Sequence, residues 1–366
     1  MDAFSLKDRL AIAVCALIAI LFTATIGTNF VLEPAISVAP KEACERAKNH
    51  GFSSKVCSHQ EFTNSAWGDS IEYFAMATGE KSVTPYSLRP FLPVVVGKFA
   101  QLTLPLELKT DKDNLFKRIS SLMIFINLAF AICLVSIPLI YFRQLFLNDP
   151  TTVALIVLTN VTTLGLVQTS PFFMLDIASY FIFMLAALAF FSRKILLLAI
   201  ISCMGILVKE ISIILLIPLL ILWLTSSKRK LYEIFYLFLP IAVFIGLRVS
   251  VGEDPLSVQH GWNLSKGEIK TRYLVYHLST ISNTVYFLLK ILSGIGGGLI
   301  LACYFYKVYG MEKTLFLGTV LLVISVVIAN ALLAARVPRI VGVVSPFLLF
   351  YILYVIDSKS KTNNIL

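Results

Sequence analysis

The chain has 366 residues, 58% of them hydrophobic and only 14% charged, with a formal net charge of +10. A soluble domain carries about 25% charged residues, and here apolar runs of about 18 or more residues recur, each long enough to cross a bilayer as a helix. The composition therefore excludes a soluble globular domain. The basic residues lie largely at the ends of the apolar runs, where they set orientation and meet anionic lipid, so nucleic acid is not an expected partner.

The apolar runs predict about ten membrane-spanning helices. In chain order they cover residues 10–32, 119–142, 151–168, 172–191, 195–208, 211–225, 234–249, 281–305, 314–334 and 340–356. The predicted fold class is all-α, a single polytopic transmembrane bundle that takes in residues 1–366. Membrane β-strands alternate in polarity, and these runs do not. The fifth and sixth runs are short, and one bent hairpin with Lys209-Glu210 at its tip is an alternative to two spans.

The positions of the basic residues predict the topology. Those near 7–9, 143, 193–194, 228–230, 307–313 and 359–361 fall on one side of the ten predicted spans. Short basic loops mark the cytoplasm, so both termini are expected there. The extracytoplasmic side then receives a long loop, 33–118, and a second loop, 250–280. The first apolar run is too long for the core of a signal peptide, which predicts an uncleaved span.

The long loop has helical patterning in its second half. Trp67, Ile71, Phe74 and Ala75 share one face at helical spacing, whereas Asp69, Glu72 and Glu80 are polar. This pattern predicts an amphipathic helix along the membrane surface. A second, apolar helix is expected from about residue 90 to residue 104.

Two of the six cysteines, Cys44 and Cys57, lie in this same loop. An extracytoplasmic location would allow them to form a disulfide, and two unpaired thiols are the alternative. The other four cysteines fall in apolar runs, where cysteine behaves as a small hydrophobic residue. No Cys/His pattern typical of a metal site occurs, and we expect neither a metal nor another cofactor.

Ionisable residues in or beside membrane spans are costly and mark functional sites. On the predicted outer side they come from six parts of the chain: Asp69 with Glu72, Arg89, Asp176, Lys209 with Glu210, His260, and Arg336 with Arg339. A cavity that opens outwards between helices would collect them. We therefore take Asp69 and Glu72 as candidate catalytic residues and the others as candidate substrate-binding residues.

Three of the four acidic candidates, Asp69, Glu72 and Asp176, each have a second interpretation. Asp69 and Glu72 are three residues apart on a predicted helix, so both carboxylates can point the same way. Such a carboxylate can act as a general base towards a hydroxyl, but a solvated polar face is the alternative, and we favour it for Glu72. Asp176 either binds substrate or pairs with a basic residue as a structural lock.

The basic residues are open to two interpretations as well. Lys209-Glu210 is either a turn whose charges reach water or each other, or a site where Lys209 meets an anion and Glu210 orients it. Arg336 and Arg339 lie on an outward turn, against the bias that keeps basic residues inside. Arginine holds phosphate with two parallel bonds, so we assign an anion to at least one of them, with headgroup anchoring as the alternative. His260 alone is weak evidence for a site.

Four glycines, at positions 294, 296, 297 and 298, fall within the eighth predicted span. No Lys-Ser or Lys-Thr pair follows them, so they do not form a phosphate-binding loop. Close packing of helices is the predicted reason for them.

With these residues in view, the chain resembles the GT-C superfamily of polytopic glycosyltransferases, which use lipid-phosphate-linked sugars. A single span is followed by a long outer loop, and four short stretches carry the likeness: Trp67-Gly68-Asp69-Ser70-Ile71-Glu72-Tyr73, Tyr86-Ser87-Leu88-Arg89-Pro90-Phe91-Leu92-Pro93, Lys209-Glu210 followed by Ile217-Pro218, and Arg336 and Arg339 followed by Pro346. The likeness covers most of the chain as architecture. The large soluble C-terminal domain of several subfamilies has no counterpart here.

The resemblance implies a function. A polyprenyl-phosphate sugar would enter from the bilayer, with its phosphate held by Arg336, Arg339 or Lys209. Asp69 would take the proton from an acceptor hydroxyl on a glycan, lipid or protein, and the sugar would be transferred with inversion outside the cytoplasm. This implies cell-envelope polysaccharide biosynthesis in a bacterial inner membrane. A transporter or flippase for a lipid-linked or anionic solute, or a non-catalytic protein with the same fold, is the alternative.

Overall fold

The computed structural model describes residues 4–31, 49, 68–80, 82, 89–103, 112–161, 175–226, 231–252, 278–310, 313–333 and 341–363. All regular secondary structure in these ranges is helical, which confirms the predicted all-α class. The helices up to residue 161 are α1 (Leu6–Val31), α2 (Gly68–Thr78), α3 (Phe91–Thr103), α4 (Lys112–Tyr141), α5 (Arg143–Asn148) and α6 (Pro150–Val161). Those that follow are α7 (Asp176–Phe191), α8 (Ile195–Val208), α9 (Leu216–Thr225), α10 (Ile234–Ser250), α11 (Ile281–Tyr309), α12 (Lys313–Leu333) and α13 (Ser345–Asn363).

Each predicted span overlaps one of these helices, but only some are long enough to cross a membrane. Within the described residues, two segments have the required length and apolarity, Asn114–Tyr141 in α4 and Gly342–Lys361, which includes most of α13. The arms of α11, Ile281–Leu292 and Gly297–Tyr309, are bent by 74° and would make a third span if they count as one. Several other apolar helices of the described part, such as α8, are 10–17 residues long, shorter than the roughly 20 residues that a bilayer requires. The ten-span topology therefore stays a prediction.

Helix α13 is the centre of the bundle. It packs against α6, α7, α11 and α12, and every residue from 341 to 353 is buried. The Phe347 ring lies 5.8 Å from that of Phe190 on α7, and the Phe350 ring lies 5.6 Å from that of Phe142. Helix α4 is peripheral by contrast, with Phe125, Ile132 and other large apolar side chains exposed. An outer surface of this kind is suited to lipid.

The start of α1 is tied to the end of α11 through one carboxylate. Ser5 and Asp8 form a capping box, in which the Ser5 N–H donates to Asp8 Oδ2 at 2.9 Å and the Asp8 N–H donates to Ser5 Oγ at 3.2 Å. The hydroxyls of Tyr304 and Tyr309 also donate to Asp8, at 3.2 and 2.7 Å. Burial raises the pKa of Asp8, but the hydrogen bonds from Tyr309, Ser5 and Tyr304 outweigh it and leave the pKa below its ordinary value.

The packing of α2 corrects one prediction. Residues 71–77 of this helix are all buried, including Glu72, so the solvated position favoured for Glu72 is wrong. The helix packs on α3 and α4, with the rings of Phe74 and Phe116 5.3 Å apart. A methyl group added at Gly97 of α3 would overlap the backbone of Ala77, so glycine is required for this close approach.

The glycine-rich part of α11 also makes a close helix contact. A methyl group at Gly298 would overlap the side-chain oxygen of Asn160 on α6. The Asn160 side chain of α6 therefore packs directly on the α11 backbone at Gly298, in agreement with the helix-packing role predicted for this glycine.

Candidate functional site

A buried polar cluster joins segments that are far apart in the chain, and Arg89 is at its centre. The Arg89 guanidinium donates from Nε to Glu210 Oε2 at 2.7 Å and from Nη2 to Glu210 Oε1 at 2.5 Å. Its Nη1 donates to the Tyr73 hydroxyl on α2 at 2.8 Å. The two bonds to Glu210 form the fork typical of arginine–carboxylate pairs, which fixes the geometry as well as the charge.

The charge of Arg89 is secured by its surroundings. Burial lowers the pKa of this guanidinium, but the Glu210 carboxylate and the Tyr73 hydroxyl outweigh that effect and raise the pKa above its ordinary value. Arg89 is therefore a permanent cation and does not exchange protons with a substrate.

A second buried ion pair lies next to the first along the chain. Lys209 Nζ donates to Asp176 Oδ1 at 2.5 Å, and both side chains are almost completely shielded. Asp176 is the first residue of α7, where a carboxylate also interacts favourably with the positive end of the helix dipole. Of the two interpretations that the sequence left open for Asp176, the geometry therefore supports pairing with a basic residue.

One residue of each ion pair lies at the same break in the helical backbone. Helix α8 ends at Val208, and Lys209 is extended, with φ −160° and ψ 128°. A short 3-10 helix, Glu210–Leu215, then leads into α9. Lys209 pairs with α7 while Glu210 pairs with Arg89, so the predicted interpretation that these charges reach water or each other is wrong. The dipeptide instead connects the α8–α9 break to two other parts of the chain.

Glu72 is a further buried carboxylate, on α2. It is 4% exposed, and Ser82 Oγ donates to its Oε2 at 3.1 Å. Glu72 is adjacent to Tyr73 on α2, which places it beside the Arg89 contact in the chain. Asp69 lies one turn earlier on the same helix, and its backbone alone is described.

Five of the predicted site residues are thus connected, either by a side-chain contact or by being adjacent in sequence to a residue that makes one. They are Glu72, Arg89, Asp176, Lys209 and Glu210. His260, Arg336 and Arg339 lie outside the described residues, as do Cys44 and Cys57. The described cysteines, Cys15, Cys133, Cys203 and Cys303, are free and lie in helices.

Sequence reasoning missed Tyr73 and Ser82 as members of the cluster. Tyr73 is four residues after Asp69, so the two share a helix face, and that spacing could have identified it. Ser82 carries no comparable signal in the sequence.

The composition of the cluster limits its chemistry. Among the described residues, the region holds three carboxylates, Glu72, Asp176 and Glu210, and two cations, Arg89 and Lys209. In the described ranges, no three His, Cys, Asp or Glu side chains come together in a way that could hold a metal ion.

Comparisons of the chain with sequence profiles of protein families, with curated proteins and with solved structures find no match.

Proposed function

We propose that this chain is a polytopic membrane glycosyltransferase of the GT-C type, with about ten spans and both termini in the cytoplasm. It transfers a sugar from a polyprenyl-phosphate donor to an acceptor hydroxyl at the extracytoplasmic face. The observation that supports the proposal is the buried polar cluster of Glu72, Arg89, Asp176, Lys209 and Glu210. Four of these ionisable groups are buried and Glu210 is partly buried, which is costly in an apolar bundle, and such clusters mark functional sites in membrane proteins.

The cluster suits the acceptor side of the reaction. Its carboxylates outnumber its cations, and Lys209 and Arg89 are each paired with a carboxylate, so a phosphate gains little there. The donor phosphate is assigned to Arg336 and Arg339, whose guanidiniums can hold it with two bonds. Asp69, on the helix that Tyr73 connects to the cluster, takes the proton from the acceptor hydroxyl.

The test is a paired assay of donor binding and sugar transfer, with the purified protein in lipid nanodiscs and a panel of polyprenyl-phosphate sugars. Asp69→Asn keeps the side-chain shape and removes the base, so binding should persist while turnover falls about 10²- to 10⁴-fold. Arg336→Ala, with Arg339→Ala as the second variant, should weaken donor binding about tenfold to a hundredfold, because a charge-assisted bond is lost.

Two results would count against the proposal. Near-normal transfer by Asp69→Asn would remove Asp69 as the base and direct the test to Glu72. Failure of the wild-type protein to bind any of the lipid-phosphate sugars would reject the glycosyltransferase function.

A transporter or flippase is the second candidate, and the 74° bend between the arms of α11 favours it. Broken helices beside a substrate site are a feature of secondary transporters. Movement of a fluorescent lipid-linked sugar across proteoliposomes, without transfer of the sugar, would support this function over the first. If the protein shows neither sugar transfer nor transport, a non-catalytic protein of the same fold is the remaining candidate.

A further inference from the structure

The short helix α2 is held at two points. The first is packing: Ala77 lies against Gly97 of α3, and Phe74 lies against Phe116 of α4. The second is polar: the Tyr73 hydroxyl, in the middle of the helix, accepts a hydrogen bond from Arg89, and Arg89 is fixed in turn by the fork on Glu210. Packing and the Tyr73 contact together set the position of α2 and its rotation about its axis.

That rotation matters for Asp69. Residues four apart share a face of an α-helix, so Asp69 and Tyr73 lie on one face of α2. Tyr73 is hydrogen-bonded to Arg89, and Arg89 is bonded to Glu210 at the α8–α9 break, 121 positions away in the chain. The orientation of that face therefore depends on the position of the break. A change at Glu210 would therefore reach residue 69 without touching it.

We propose that Arg89 and Glu210 are positioning residues that hold the face of α2 carrying Asp69 in its working orientation through the Tyr73 hydroxyl. The sequence predicted that both bind substrate, and this assignment replaces that one. The expected effect on kcat rests on the proposed glycosyltransferase function. The contact between Arg89, Glu210 and Tyr73 does not depend on that function.

A charge-swap series tests the proposal. Arg89→Ala and Glu210→Ala each remove the fork, and the double variant Arg89→Glu/Glu210→Arg restores it in the reverse direction. The Tyr73 hydroxyl can still donate to the new carboxylate at position 89, so the whole chain of contacts is preserved. Tyr73→Phe removes one hydroxyl and is the mild variant if the alanine variants fold poorly. Asp357→Asn, in an exposed pair with Lys361, is the control for loss of an ion pair.

The first readout is steady-state kinetics in nanodiscs. Each alanine variant should lower kcat by about 10²-fold, the effect of a misplacement of about 1 Å, while KM for the donor stays within about threefold. The kcat of the swapped double variant should be at least about tenfold higher than that of either alanine variant. A rise in KM with kcat preserved, or a double variant no better than the single ones, would show that Arg89 or Glu210 contacts substrate and would overturn the proposal.

The second readout does not depend on activity. Hydrogen–deuterium exchange of the α2 amides should be faster in Arg89→Ala and Tyr73→Phe and should return towards wild type in the swapped variant. Unchanged exchange of α2 in Arg89→Ala would overturn the positioning role. If the wild type transfers no sugar but α2 exchange responds as described, the proposed function fails while the positioning contact stands.

Discussion

The Lys209 ammonium lies 2.5 Å from Asp176 Oδ1, and the two side chains are 7% and 1% exposed. Neither charge has enough contact with water to be solvated independently. Removal of one partner of such a buried pair leaves the other as an uncompensated charge, which is more damaging than the loss of both.

We therefore expect Asp176→Asn to destabilise the folded protein by roughly 3–5 kcal/mol. The double variant Asp176→Leu/Lys209→Met should recover much of that loss, since two apolar side chains need no partner. Thermal unfolding in detergent, followed by tryptophan fluorescence, measures both effects. Asp357→Asn breaks a pair in which Lys361 is 64% exposed, and should change stability by only about 0.5 kcal/mol. Equal losses from Asp176→Asn and Asp357→Asn would contradict this prediction.

The close approach of α2 and α3 gives a second prediction. Gly97→Ala inserts a methyl group into the Ala77 backbone, and such overpacking should cost about 1–3 kcal/mol. Gly246 of α10 is the matched control, because nothing lies near an added methyl there. In a helix interior that change should stabilise by up to about 1 kcal/mol. Opposite shifts of the two melting temperatures are expected, and a shift in the same direction would argue against the tight contact.

Asp8 gives a prediction about pH. Its pKa is lower in the folded protein than in the unfolded chain, so its contribution is complete above the unfolded pKa and is lost as pH falls through the folded pKa. The melting temperature of Asp8→Asn should therefore lie below that of the wild type at pH 7, and the gap should close below about pH 4. Tyr309→Phe should lose part of the same contribution. A gap that is constant from pH 7 to pH 3 would show that the Asp8 charge is not what stabilises the fold.

The topology can be tested with reporter fusions. Fusions at about residues 50 and 265 should report an extracytoplasmic location, and those at about residues 229 and 362 a cytoplasmic one, because short basic loops stay inside. A cytoplasmic signal at residue 50 would put Asp69 on the wrong side of the membrane for the proposed reaction.

The positions of most helices were predictable because most of them follow a run of apolar side chains, whereas the short helix α5 was not predicted. Helix α8 begins at Ile195 and ends at Val208, as predicted, since charged residues stand on both sides of the run. The break at Lys209-Glu210 was predictable for the same reason: two adjacent charges cannot continue an apolar helix without partners.

The partners of those charges were not predictable. Arg89 and Glu210 are 121 positions apart, and no periodicity in the sequence relates them. The burial of Glu72 was missed for a related reason. An isolated helix pattern shows which face is polar, but it does not show that Ser82 and the neighbouring helices α3 and α4 cover that face. Tertiary packing decides both features.

The contacts of Asp8 also bear on how the protein is made. Asp8 leaves the ribosome early. Tyr309, which donates a hydrogen bond to Asp8, follows 301 positions later. At 5–20 residues per second, that interval is roughly 15–60 s. During this time α1 lacks the tyrosines that later bond its start, although Arg9 can already pair with Asp149. The bundle can thus close around Asp8 only when translation is nearly finished, so a ribosome that stalls before codon 304 leaves Asp8 without its contacts to α11.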